Sequence, residues 1–421
     1  MQRLIITGKK NLNGKIIISG SKNASLPILA ATILSDKKII LRNVPLVKDV
    51  FTMVELLNFI GSKITINKLK KQIIIFPKKK LKSFTAPYRL LKTMRAGILV
   101  LGPILSRFKK AKVSLPGGCA IGARPVDLHI SVLRQLGANI KIKNGYIVAS
   151  ASKGLKGGQI NIPKVSVGAT ESAILSSVFT SKDTTIKNCA IEPEIINLIN
   201  FLKSLGVRIN IKKRIIKVYK TRESLKETNF EIMFDRIEAG TYMIAGALTA
   251  KKLIVDKINP KIIQKEINIL KKMGVKIKTE KSKIIIFASN NIKKINVKTS
   301  PYPGFPTDLQ AQIMVLMLKA KGQSSIQENI FENRFMHVQE LNRMGASIQI
   351  KKNKAYINGG FELSGAEVMA TDLRASVSLV LAGLIAKNQT TINRVYHLDR
   401  GYENLEKKLN NCNAKIVRKN A

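Results

Sequence analysis

One phrase recurs six times along the chain, and a chain built that way folds into copies of one unit that share buried cores. The copies are Leu57-Asn-Phe-Ile-Gly-Ser, Leu133-Arg-Gln-Leu-Gly-Ala, Leu202-Lys-Ser-Leu-Gly-Val, Leu270-Lys-Lys-Met-Gly-Val, Leu341-Asn-Arg-Met-Gly-Ala and Leu409-Asn-Asn-Cys-Asn-Ala. Their spacing is roughly 70 residues, read from the glycines at 61, 137, 206, 274 and 345, with Asn413 in the sixth slot. Each copy closes an amphipathic helix at a Gly or Asn suited to a left-handed cap, then alternates into a strand. A second phrase precedes it each time: a helix of small and apolar residues, a turn and a β-rich run. These helices, at 23–34, 94–105, 169–179, 237–250, 310–320 and 373–386, are apolar on nearly all sides and are expected to be buried.

The predicted fold class is α/β, with two pseudo-symmetric three-unit domains built from six β-α-β-α-β units. Repeat phase puts one domain at 22–233, carrying the Cys119 loop, and the other at 1–21 with 234–421. The first strand, near Arg3 to Gly8, is expected to join the C-terminal domain, and ligand chemistry is expected in the cleft between the domains.

Polar residues break the repeat at equivalent places. One ring precedes the buried helices: Gly20-Ser-Lys-Asn, Lys92-Thr-Met-Arg, Lys164-Val-Ser-Val-Gly, Asp235-Arg-Ile-Glu, Pro306-Thr-Asp and Thr371-Asp-Leu-Arg. Helix N-termini ringed by Lys and Arg suit phosphate groups. The second ring follows the β-runs: Cys119 to Arg124, Glu192-Pro-Glu, Glu332-Asn-Arg and Asp399-Arg-Gly. Cys119 sits on a glycine-rich loop five residues before Arg124, where positive charge favours a thiolate; the alternative is a small apolar residue in a tight turn. Asp235, Asp308 and Asp372 serve either as simple N-caps or as site carboxylates, and Asp372 with Arg374 is a candidate structural ion pair. His129, His337 and His397 lack metal-ligand spacing and read as packing residues, as Cys189 and Cys412 read as structural.

The chain carries 73 basic against 26 acidic residues, a net charge of +47, which alone would suggest a nucleic-acid partner. The lysines are instead spread over nearly every element, beside abundant Ile and Asn and no Trp, as an AT-rich coding bias produces. Exposed aromatics interleaved with a one-sided basic face, which nucleic-acid binding needs, are missing from the pattern. The three cysteines lie far apart, arguing against a disulfide framework or a zinc site and for a reducing cytoplasm. The N-terminal segment does not resemble a signal peptide, and no apolar run reaches the ~20 residues of a membrane span.

The motifs Gly20-Ser-Lys-Asn-Ala, Pro116-Gly-Gly-Cys-Ala-Ile-Gly-Ala-Arg-Pro-Val-Asp-Leu-His, Lys164-Val-Ser-Val-Gly-Ala-Thr, Phe305-Pro-Thr-Asp-Leu-Gln, Phe331-Glu-Asn-Arg-Phe-Met-His and Ala370-Thr-Asp-Leu-Arg-Ala-Ser closely resemble the UDP-N-acetylglucosamine enolpyruvyl transferase family. The resemblance runs over essentially the whole chain. It implies two inside-out α/β barrel domains and transfer of the enolpyruvyl group of phosphoenolpyruvate to the sugar 3-hydroxyl, the committed step toward peptidoglycan, without metal or organic cofactor. Its implied partners are the two substrates, with no nucleic acid or membrane, in a cytoplasmic monomer or weak homo-oligomer. By position, Lys22, Arg124 and Arg400, with Arg374 as a further candidate, resemble the phosphoenolpyruvate clamp, and neighbouring Asp372 is a further substrate-binding candidate. Asn23, Arg95, Arg124, Pro125, Val126, Asp127, Leu128, Lys164, Val165, Ser166, Val167 and Ile330 resemble the nucleotide-sugar contacts. Asp308 resembles the base for the 3-hydroxyl, and Cys119 the acid that protonates the methylene carbon and can form an adduct; the sequence is compatible with acid or nucleophile. The sister transferase acting on shikimate 3-phosphate is the nearest rival, but that family lacks the loop cysteine.

Overall fold

A computed structural model describes residues 2–117 and 126–420. Cys119, Arg124 and Pro125 therefore lie outside the described residues. The chain divides into two compact units, one holding the described residues of 20–233 and the other 2–19 with 234–420.

Six four-stranded sheets are present among the described residues, three in each unit. Gly158–Asn161, Thr184–Lys187, Ile215–Val218 and Ile209–Lys212 give the common plan. The first two strands pair in parallel across a buried helix, and the hairpin that follows the second helix adds two antiparallel strands. The repeat is thus β-α-β-α-β-β, one strand more than the expected β-α-β-α-β. After the first five phrases the single strand read there is a hairpin, folded at residues such as Lys71, Asn144, Lys213 and Lys352, all with positive φ, whereas Lys415–Asn420 follows the sixth as one strand. Asn takes that conformation readily and Lys less so, which hid most of these turns from a search for Gly and Pro.

Three strands come from distant sequence, one of them Leu12–Ile17, which pairs in parallel with Ala250–Asp256. Gln2–Thr7 pairs with Gln389–Asn393 and Lys415–Asn420, completing the last C-terminal sheet as expected of the first strand. Thr228–Glu231 returns to pair in parallel with Ile39–Arg42.

The apolar helices are buried. Arg236–Thr249 and Gln310–Leu318 are buried along their whole length, and Leu373–Ile385 in all but its last residue. Lys22–Ala31 and Val167–Ser176 expose only their first residues. The helix expected at 94–105 differs: Arg95–Val100 forms a 3-10 turn and the α-helix runs Leu101–Phe108. Pro103 accounts for the break, since it has no N–H to give a continuing helix but is tolerated in a first turn.

The repeated phrase is explained by its hydrogen bonds. Ser62, Ala138, Val207, Val275, Ala346 and Ala414 each donate their N–H to the carbonyl of the phrase's Leu, at 2.9 to 3.1 Å. The residue before each, Gly61, Gly137, Gly206, Gly274, Gly345 and Asn413, has positive φ between 73° and 122°. This six-to-one closure satisfies a helix-end carbonyl and turns the chain directly into its next strand.

Candidate active site

In the 20–233 unit the first polar ring lies where the sequence put it, at the starts of the buried helices. Ser21 caps Lys22–Ala31 by accepting from the Ala24 N–H at 3.2 Å, which fixes Lys22 and Asn23 in the first turn. The Lys22 ammonium stands 3.4 Å from Asp49 in the first turn of Lys48–Ile60, with both side chains largely withdrawn from water. Ser166 caps Val167–Ser176 in the same way, accepting from Ala169 at 3.3 Å, and Lys164 and Val167 are exposed beside it.

Buried His129 ties these segments together. Its Nδ1 lies 2.6 Å from the Ser172 hydroxyl, and its ring edge packs where a Cβ on Gly168 would sit, 3.0 Å away. Helix Asp127–Gln135, with Val126 before it and Asp127 and Leu128 in its first turn, is thereby fixed beside the 164–168 turn. Burial lowers the His129 pKa to about 4, with Arg95 pushing the same way and Asp127 opposing. Arg95, Val126 to Leu128 and Lys164 to Val167 are thus brought to one end of this core. Behind them, burial and then the neighbouring Glu194 and Glu192 hold the carboxyl of Glu171 far above its ordinary range.

In the other unit the starts of Arg236–Thr249, the 3-10 turn Thr307–Leu309 and Leu373–Ile385 converge on Asp308. Asp235 and Asp372 are N-caps: each carboxylate accepts two backbone N–H groups of its own helix, at 2.8 to 3.1 Å. Asp308 is not a cap. Its Oδ1 accepts from Arg334 Nη2 at 2.7 Å and its Oδ2 from Arg374 Nη2 at 2.8 Å, one guanidinium on each oxygen. The ion pair expected between Asp372 and Arg374 is therefore absent in that form. Asp372 takes the Arg374 backbone N–H and leaves the guanidinium for Asp308.

A buried polar network backs this group. Arg374 Nη1 donates to the Tyr402 hydroxyl at 3.2 Å, which pairs with Thr241 Oγ1 at 2.8 Å, and Gln312 Nε2 donates to the Asp308 carbonyl at 2.9 Å. Burial disfavours the Arg374 charge, but Asp308 more than offsets it, so its pKa lies above the ordinary arginine value. Glu328, also buried, accepts from the Ile330 and Phe331 N–H groups at 2.8 and 3.1 Å and from the Thr307 hydroxyl at 2.9 Å. It holds the Ile330 loop to the turn that carries Asp308. Arg400 ends the 3-10 turn Val395–Arg400, close enough to His397 to help burial lower that pKa. Asp399 instead makes a bidentate pair with Arg418, at 2.8 and 3.0 Å, as structural ion pairs do.

Sequence reasoning assigned no role to Asp49, Thr241, Gln312, Glu328 or Tyr402, and gave Arg334 only as a cation of the second polar ring. Thr241 and Gln312 carried a usable signal, as polar residues inside helices otherwise apolar. Cys189 and Cys412 are buried free thiols; burial pushes the first up to about 12 and raises the second. Among the described residues no cluster of three or more His, Cys, Asp or Glu is placed to hold a metal, and no helix is long and apolar enough to cross a membrane.

A family model described as EPSP synthase (3-phosphoshikimate 1-carboxyvinyltransferase) matches residues 6–409. The UDP-N-acetylglucosamine 1-carboxyvinyltransferase of Pelagibacter ubique (strain HTCC1062) is 59% identical over 421 residues, the full length of both chains. The chain belongs to the UDP-N-acetylglucosamine 1-carboxyvinyltransferases, within the enolpyruvyl transferase family. Another carboxyvinyltransferase of that name, from Rickettsia bellii (strain OSU 85-389), is 50% identical over 420 residues, 99% of this chain and 100% of its own. Among solved structures, the enolpyruvyl transferase NikO from Streptomyces tendae superposes with a TM-score of 0.91 at 22% identity, over 100% of this chain and 99% of its own. An EPSP synthase from Acinetobacter baumannii gives 0.76 at 18%, covering 100% of both chains. Those two likenesses speak for the α/β enolpyruvyl transferase fold alone, whereas full-length identity of 59% separates the UDP-N-acetylglucosamine branch of the family from its sister.

Proposed function

We propose that this chain transfers the enolpyruvyl group of phosphoenolpyruvate to the 3-hydroxyl of UDP-N-acetylglucosamine with release of phosphate, the first committed step of peptidoglycan synthesis. The observation that carries this reading is the 59% identity, over the whole of both chains, to a protein bearing that name.

The site roles follow the chemistry. A phosphate dianion next to a carboxylate calls for several cations, and Lys22 at a helix start, Arg124, Arg374 and Arg400 supply them in this reading. Asn23, Arg95, the 124–128 and 164–167 segments and Ile330 hold the nucleotide sugar. The sugar oxygen attacks C2 of phosphoenolpyruvate while Asp308 takes the hydroxyl proton and the Cys119 thiol protonates C3. The resulting tetrahedral adduct then loses phosphate from C2 and a proton from C3, restoring the double bond. Asp308 takes its part in this reading as a carboxylate held in place by one arginine on each oxygen. The two units correspond in this reading to three-repeat domains at 22–233 and at 1–21 with 234–421, both contributing to the reaction. Two buried free thiols favour a reducing, cytoplasmic setting. We also propose a monomer or weak homo-oligomer, acting with neither nucleic acid nor membrane as partner.

The test is phosphate release from phosphoenolpyruvate with UDP-N-acetylglucosamine or shikimate 3-phosphate as acceptor, in wild type and Cys119→Ala. Release that needs the nucleotide sugar and collapses in the variant is expected. Release with shikimate 3-phosphate, or with neither acceptor, would overturn the assignment.

A further inference from the structure

We infer that Arg418 is a positioning residue for this reaction: it fixes the turn that carries Arg400 and keeps the Asp399 carboxylate, next to Arg400 in the chain, from competing with the anionic substrate for that arginine. The inference rests on the reading of Arg400 as part of the phosphoenolpyruvate clamp.

Arg418 lies on the strand Lys415–Asn420, opposite Leu4 of Gln2–Thr7. Its Nε donates to Glu406 Oε1 at 2.8 Å. Its Nη1 donates to Asp399 Oδ2 and Gln2 Oε1, each at 3.0 Å, and its Nη2 to Asp399 Oδ1 at 2.8 Å and Glu406 Oε2 at 3.3 Å. A guanidinium has five N–H donors, so the group is held at every one of them. A lone pair of exposed charges holds little, but here the contact to Asp399 is bidentate and belongs to a network with a second carboxylate.

Arg400 stands between two fixed points. Before it, Asp399 is tied to Arg418. Two residues after it, buried Tyr402 bonds Arg374 at 3.2 Å and Thr241 at 2.8 Å through its hydroxyl. Between them Gly401 packs so closely that a Cβ would stand 2.6 Å from Leu373 Cδ2. Val395 and Leu398 bury the inner side of the same turn. Taking away the Arg418 charge leaves Asp399 and Glu406 without the cation between them. The two carboxylates then repel, and Asp399 turns to the cation beside it in the chain, so Arg400 meets an anion before the substrate arrives and loses its set position.

The experiment follows phosphate release at varied concentrations of each substrate, with thermal melting, in wild type, Arg418→Gln, Arg418→Lys, the double variant Arg418→Gln with Asp399→Asn, and Arg400→Gln. Arg418→Gln is expected to raise KM for phosphoenolpyruvate about tenfold while KM for UDP-N-acetylglucosamine changes less than about twofold, a split that general loosening of the fold does not produce. Adding Asp399→Asn removes the competing charge and is expected to bring KM for phosphoenolpyruvate back to within about threefold of wild type. Arg418→Lys keeps the charge on a single contact point and is expected to raise that constant about threefold. A wild-type KM for phosphoenolpyruvate in folded Arg418→Gln, or an equal rise for both substrates, overturns the inference; if Arg400→Gln is then still impaired for phosphoenolpyruvate, the clamp reading stands. A double variant that does not recover overturns the competition by Asp399. A wild-type KM for phosphoenolpyruvate in Arg400→Gln overturns the clamp reading and this inference with it. Should Arg418→Gln not fold, Arg418→Lys decides by the same split between the two substrates.

Discussion

Lys22 Nζ lies 3.4 Å from Asp49 Oδ2, and the two side chains are 12% and 6% exposed. A lysine that meets a phosphate, the role proposed for Lys22, must be held in place before the substrate arrives, because its flexible stem carries about 2 kcal/mol of rotamer entropy. Asp49 supplies part of that restraint, at the cost of neutralising some of the charge. Asp49→Asn keeps the shape and removes the ion pair. Its KM for phosphoenolpyruvate is expected to rise about tenfold, the equivalent of a charged hydrogen bond worth about 1.4 kcal/mol, while KM for the nucleotide sugar moves less. Equal changes in both constants would place Asp49 outside the anion site.

The Tyr402 hydroxyl is the junction of the polar network behind Asp308, bonding Arg374 at 3.2 Å and Thr241 at 2.8 Å. Tyr402→Phe leaves a buried guanidinium and a buried hydroxyl each one partner short, which costs about 1 to 3 kcal/mol. A lower melting temperature is expected, together with a kcat loss because Arg374 no longer has its second anchor. A double-mutant cycle with Thr241→Val reads the coupling: since both substitutions break the Tyr402–Thr241 bond, the double variant is expected to lose less stability than the sum of the two single variants.

Asn413 occupies a left-handed position, φ 73°, that five glycines hold in the other repeats. Its Nδ2 also donates to the Asn11 carbonyl at 3.0 Å. Asn413→Ala loses that bond and puts a Cβ-bearing residue without local hydrogen bonding into the left-handed region, an expected cost of about 1 to 2 kcal/mol. Asn413→Gly exchanges the bond for free φ and is expected to stay within about 1 kcal/mol of wild type. Urea unfolding of both variants checks the pair; a harmless Ala substitution would mean the cap is not under strain.

The same six caps explain why the architecture was legible in the sequence. A six-to-one closure constrains a Leu, a Gly or Asn and the next apolar residue at fixed offsets, so every copy wrote nearly the same letters. The buried helices were legible for the same reason, being apolar all round. The hairpin strands were not, because Lys71, Lys213 and Lys352 turn the chain where no propensity rule places a turn. The site divided similarly. Helix starts at Lys22, Lys164 to Val167 and Asp372 to Arg374 stood out as polar breaks in an apolar pattern. Asp235 and Asp308 looked alike in sequence, yet one caps its helix and the other faces two arginines from segments 26 and 66 residues away. That difference is made by tertiary packing, and nothing local encodes it.

His129 gives the structure a pH dependence whose sign is fixed by its surroundings. Burial, with Arg95 adding to it and Asp127 opposing, lowers its pKa from 6.5 to about 4, so the folded protein keeps the ring neutral where the unfolded chain already binds a proton. Between those two values the unfolded state holds more protons, and stability therefore falls as pH is lowered from 6.5 toward 4 and levels off below. The full loss is about 3 kcal/mol at 1.36 kcal/mol per unit. His337, buried and lowered to about 4, adds a second contribution of the same sign. Glu171 opposes them: its raised pKa means the folded state holds the extra proton, so its contribution is present at acid pH and lost as pH rises above the unfolded value of 4.5. A raw stability curve mixes these slopes, and a difference curve isolates one. His129→Gln keeps a polar partner for the Ser172 hydroxyl and cannot titrate. The wild-type advantage over His129→Gln is expected to shrink by about 3 kcal/mol between neutral pH and about pH 4, measured by urea unfolding at several pH values. A pH-independent difference would mean that His129 titrates alike in the folded and unfolded protein, and with it that the packing of Asp127–Gln135 against Gly168 and Ser172 is looser than the 2.6 Å hydrogen bond requires.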